Sequence, residues 1–199
     1  MGLSGLLLAA GLLAGPAQAQ PRGGRDPDFP CVQVLVPSLS PGQIWSGPPV
    51  DDIPAGAWTS DTEVRRLVEM AGDRRVGTEA LTSEIDRFAG TTKDGNRLVL
   101  LFAGVFETLQ AERGQSLDAI RRYAQGQRQM LDRIAARLRD QQDLSADDPR
   151  RAEIADAIAW DRRVLEDRRR MLPPLCERPA LLERRLGAVA RTLAAHLPP

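Results

Sequence analysis

From Thr59 onward, apolar residues return every three or four positions, which is the period of a helix with one face buried. Over 61–75 the stripe is Val64, Leu67, Val68 and Met70, with Ser60 or Asp61 as the N-cap. Over 78–90 it is Leu81, Ile85 and Phe88, capped by Thr78 and punctuated by Gly77 and Gly90. A much longer pattern covers 96–144. Leu98, Phe102, Val105, Leu109, Ile120, Tyr123, Met130, Ile134 and Leu138 fall near heptad spacing, and Leu101, Phe106, Leu117 and Leu131 widen the stripe. Unbroken, such a helix is about 70 Å long. Gly104, Gly114 and Gly126 lie inside it, each costing roughly 1 kcal/mol relative to Ala, and a kink is expected near Gly114.

"SADDPR" at Ser145–Arg150 reads as a turn and a new start, with Pro149 placed for a first helical turn. The helix over 150–172 turns Ile154, Ile158, Leu165 and Leu172 inward, and Pro173-Pro174 ends it. A last helix over 179–197 carries Leu182, Leu186, Val189 and Leu193. The fold class is all-α: a helical bundle over 59–199 with a long antiparallel helical hairpin of coiled-coil type. The helix over 150–172 covers only the second half of the long helix. The two short helices, the last helix and the N-terminal region must cover the first half.

Residues 20–58 are rich in Pro and Gly with isolated apolar positions. They predict an extended arm docked on the helical domain and anchored by the indoles of Trp45 and Trp58. "CVQVLVP" at Cys31–Pro37 has the composition of one short strand, with no partner strand nearby.

Ahead of the arm, residues 1–19 read as a secretory signal peptide. An apolar run from Leu6 to Ala14 precedes Ala17-Gln18-Ala19, with cleavage expected near Ala19. No other stretch is apolar enough to span a bilayer. The expectation is a periplasmic or secreted protein of a Gram-negative bacterium. Export changes the reading of the only two cysteines, Cys31 and Cys176, because thiols pair in oxidising compartments. A disulfide between them closes a loop long enough to contribute about 5 kcal/mol in the chain-entropy account.

Charge narrows the partners. The 27 basic and 27 acidic residues cancel, which argues against nucleic acid or an anionic membrane surface as the main partner. The partner expected is another periplasmic or envelope protein. Lys93 is the only lysine, and the arginine doublets have carboxylates three or four residues away in most cases, as on a solvated helix face. His196 is the only histidine, and there is no C-x-x-C, Walker loop or G-x-G-x-x-G after a strand. No metal, cofactor or catalytic residue is assigned.

Some charges fall on the inward stripes. Glu112 takes a place where the Val105–Leu109 seam predicts an apolar residue, and Asp161 and Arg168 interrupt the Ile158–Leu165–Leu172 seam. Hairpin register puts Asp161 near Arg128 and Asp132, and Arg168 near Gln125. Glu112, Arg113, Arg128, Asp161 and Arg168 therefore form either a polar pocket or a paired polar layer that fixes register. The function expected is that of a non-enzymatic adaptor, accessory or chaperone-like module acting through the hairpin. An alternative is a small periplasmic enzyme: the exported, all-helical, single-disulfide plan is similar to that of secreted chorismate mutases. That resemblance implies Arg and Glu side chains clamping a dicarboxylate, with Glu112, Arg113 and Arg121 as the residues to consider. A further alternative is a stress- or metal-responsive helical chaperone, similar in plan to small periplasmic stress proteins, whose L-T-x-x-Q repeats this chain lacks.

Overall fold

The computed structural model describes residues 29–92 and 94–197. Residues 1–19, read above as a signal peptide, the start of the arm and Lys93 lie outside them. The described residues form five α-helices: α1 (Thr62–Gly72), α2 (Thr78–Thr91), α3 (Gly95–Gln142), α4 (Arg150–Arg170) and α5 (Leu172–Ala194). No strand occurs among them, and the fold is all-α. Ahead of α1 the chain is irregular except for two single 3-10 turns, Pro41–Gln43 and Ala57–Ser60.

Local chemistry sets the starts. Asp61 caps α1 by accepting from the N–H groups of Glu63 and Val64, and Asp94 caps α3 by accepting from Asn96 N. The cap of α2 differs from expectation: Thr78 is already its first helical residue, and Gly77, with no side chain to offer, holds the cap position. α3 runs 48 residues with no break at Gly104, Gly114 or Gly126. The expected kink at Gly114 therefore does not end the helix.

The prolines act opposite to expectation. α4 stops at Arg170, and Met171 alone separates it from α5. Pro173 and Pro174 sit in the first turn of α5, where a missing N–H costs no hydrogen bond. They start a helix rather than ending one. Pro179, expected as the start of the last helix, lies buried inside α5.

The base is one apolar cluster made by α1, α2, the first half of α3, and α5. Leu67, Leu81, Ile85, Leu101, Phe102, Leu109, Leu186 and Leu193 are among its fully buried members. Beyond Ile120, the helix that packs on α3 is α4. Contacts step along the two helices in opposite senses: Tyr123 reaches Arg168, Arg133 and Arg137 reach Asp161, and Gln141 reaches Arg151. Between them lies a small core of Met130, Ile134, Ile158 and Leu165. Leu131, expected in the stripe, is exposed, because a single facing helix cannot cover so wide a face.

Gly104 is required by packing. A Cβ there would lie 2.7 Å from Trp58 Cγ and 2.7 Å from Val68 Cγ2, whereas one at Gly114 would meet nothing within 4 Å. Gly104→Ala is expected to cost about 1–3 kcal/mol by overpacking. Gly114→Ala is expected to be neutral or to stabilise by up to about 1 kcal/mol. Urea midpoints of the two variants check both signs. Asp61 also binds the Arg97 guanidinium at 2.7 Å, and that bond, aided by the cap N–H groups, lowers its pKa from 3.8 to about 2. A carboxyl whose folded pKa is depressed stabilises the fold above its unfolded pKa, and the contribution disappears as pH falls through the folded value. Asp61→Asn should therefore flatten the loss of stability between pH 3.8 and about 2, as read by melting temperature against pH.

Candidate functional site

The irregular N-terminal stretch is held at four places, one by a disulfide to α5 and three by side chains of α3. Cys31 and Cys176 are joined in a disulfide, their Cα atoms 5.6 Å apart, over a small cluster that includes Leu117 and Ile120. Arg113 donates to the carbonyls of Val36 and Pro37. Trp45 is buried and stacks on Phe102 with ring centroids 4.2 Å apart, while its indole N–H donates to Pro48 O. Trp58, half-buried, donates its Nε1–H to Glu107 Oε2, which also accepts from Gly56 N.

The side chains proposed for a polar layer do not gather in one place. Arg113 is buried in the base, and besides the two carbonyls it binds Glu183 of α5 at 2.7 Å. Asp161 is buried against α3, where its partners Arg133 and Arg137 differ from the expected neighbours Arg128 and Asp132. Arg128 and Arg168 are both exposed. The carbonyl of Arg168 accepts from the Tyr123 hydroxyl, and its guanidinium lies against Gly126 rather than marking a pocket. The three residues considered for a dicarboxylate clamp are engaged separately. Glu112 binds Arg74 and Arg178, Arg113 faces the arm and Glu183, and Arg121 pairs with Asp118 one turn away.

Glu112 leads to a feature the sequence did not signal. A cleft of about 240 Å³ opens where the α1–α2 turn meets α3 and α5, and its wall includes Asp73, Arg74, Thr78, Glu112, Arg178 and Arg185. Arg185 builds the floor. Its guanidinium donates to the carbonyls of Met70, Ala71, Asp73 and Val76, tying off the C-terminus of α1. Burial lowers its pKa, opposed by the Glu112 carboxylate, yet the group remains a cation at any ordinary pH. None of the four carbonyls cancels that charge. A second feature lies on α4: Trp160 is 62% exposed, with the Arg163 guanidinium 5.5 Å from its ring centroid.

Among the described residues no group of three His, Cys, Asp or Glu is placed to hold a metal ion, and no helix is long and apolar enough to cross a membrane. No protein-family model, curated protein or solved structure matches the chain.

The Arg113 bonds are what fix the arm between the disulfide and Trp45. Arg113→Ala should cost about 2–3 kcal/mol, the worth of its charge-assisted bonds and lost packing. Arg113→Lys should recover less than half, because one ammonium cannot serve acceptors on two sides as a guanidinium fork does. In the alanine variant, limited proteolysis should cut between Val36 and Gly47 before the helices unfold.

Proposed function

We propose that the chain is an exported, periplasmic, non-enzymatic protein that presents its α3–α4 pair to another envelope protein. The observation that carries this reading is Trp160. An indole is the largest apolar side chain, and this one stands 62% exposed on α4, where a partner that covered it would gain its apolar area. Trp and Arg are also the residue types that dominate binding energy at protein interfaces. Here Arg163 is held over the ring, Arg162 is exposed beside it, and Met171 is 64% exposed at the end of the same helix. The surface fits a partner with an apolar spot rimmed by carboxylates.

Export rests on the leader-like residues 1–19 and gains support from the disulfide, a bond that persists in oxidising compartments. The small α3–α4 core, four buried side chains, leaves much of both helices open to a partner.

A photo-crosslinking residue at position 160, in chain expressed in its own host, should give one dominant adduct in the periplasmic fraction. Trp160→Ala should weaken that partner's affinity by about 30-fold or more, the effect of losing a hot-spot side chain, with the melting temperature nearly unchanged. Unchanged affinity in Trp160→Ala, or a chain confined to the cytoplasm with its first residues intact, would sink the reading.

A further inference from the structure

The geometry points to the cleft at the α1–α2 turn as a binding site for a compact oxyanion, a phosphate or carboxylate group of a small ligand, held between Arg74 and Arg178 above Arg185. Three arginines line this cleft against two carboxylates, Asp73 and Glu112. The balance is more one-sided than the count. Asp73 already accepts from Arg75 N, across the α1–α2 turn. Among the described residues Arg185 makes no direct ion pair: its hydrogen bonds go to backbone carbonyls, and Glu112 and Asp73 offset its charge only from a distance. A partly buried cation with no carboxylate in direct contact raises the local potential for an anion, and low-dielectric walls strengthen the effect.

The donors are set for an oxygen-rich ligand. Glu112 spreads its carboxylate across the two remaining arginines, taking Arg74 Nε at 3.4 Å and Arg178 NH2 at 2.9 Å. A carboxylate bridging two guanidinium groups is the chain's own stand-in for a bound anion. Glu112 takes one nitrogen of each guanidinium, and the buried Nε of Arg178 has no hydrogen-bond partner among the described residues. Gly77 and Thr78 bring the uncapped start of α2 to the same wall, adding its first-turn N–H groups as secondary donors. The volume sets the size of the ligand. About 240 Å³ lies below the range of drug-sized pockets and suits a group the size of phosphate or citrate.

The test uses the full chain with its disulfide intact, at low ionic strength, titrated calorimetrically with inorganic phosphate and separately with citrate, and with sodium chloride as the ionic-strength control. Saturable one-to-one binding of at least one of the two anions is expected, with no such binding of chloride. Phosphate alone would assign a phosphate-bearing ligand, and citrate alone a carboxylate-bearing one. Arg178→Ala should weaken binding at least tenfold. Glu112→Gln should tighten it several-fold, since it removes the competing charge and keeps the side chain's size. That gain separates a ligand site from a structural ion-pair network, in which the same change brings no new affinity. Arg74 is mostly exposed, so Arg74→Ala leaves the fold intact and should weaken binding at least threefold even where Arg178→Ala does not fold. The proposal is overturned if neither anion binds saturably, or if Arg74→Ala and Glu112→Gln leave the affinity within twofold of the parent.

Discussion

Arg113 carries a full charge inside the base, and the way that charge is met organises what surrounds it. A guanidinium is always protonated and must spend its donors on acceptors wherever it sits. In the middle of α3 it finds them on two sides: Glu183 on α5, and the carbonyls of Val36 and Pro37 on the arm. One side chain thus fixes the rotation of α3, the approach of α5 and the path of the arm together. The disulfide over Leu117 and Ile120 and the Trp45–Phe102 stack lie on either side of it along α3. They extend a docking that Arg113 orients. An apolar residue there would hold α5 by burial alone and would leave the arm carbonyls to water.

The structure divides its burial unevenly. Everything around the first half of α3 is packed on several sides, whereas the second half has α4 and a core of four buried residues. Polar contacts take over where apolar ones run out. Asp161 is clamped by Arg133 and Arg137, and Arg151 donates to the carbonyls of Gln141 and Leu144 at the turn. Such bonds fix the register of two helices more than they stabilise them, because both partners give up hydration to form them. The α3–α4 pair is therefore well aligned but lightly held.

The sequence was most legible where burial followed the helical period. Val64, Leu67 and Val68, then Leu81, Ile85 and Phe88, then Leu98, Phe102, Val105 and Leu109 are all buried. It was least legible where a backbone group is the partner, because a carbonyl leaves no mark in the sequence. The acceptors of Arg113 and Arg185 belong to this class, and the cleft built on Arg185 went unseen for that reason. Asp161 shows a second limit. Register places Cα atoms opposite each other, but an arginine reaches more than a turn, so the partner was set by side-chain length rather than by position. The prolines show a third: Pro173-Pro174 is as compatible with the first turn of a helix as with the end of one. Only the single-residue link at Met171 decides between them.

The Cys31–Cys176 bond has a mechanical consequence. It spans 145 positions of the chain, so α1, α2, α3 and α4 all lie within the loop it closes. Tension applied ahead of Cys31 and beyond Cys176 passes through the sulfurs directly into α5 and bypasses those four helices. Only the stretch of α5 after Cys176, with its contacts to α2 and α3, stands in the line of load. A tug on the N-terminal side would then strip α5 from the base before it disturbed the α3–α4 pair.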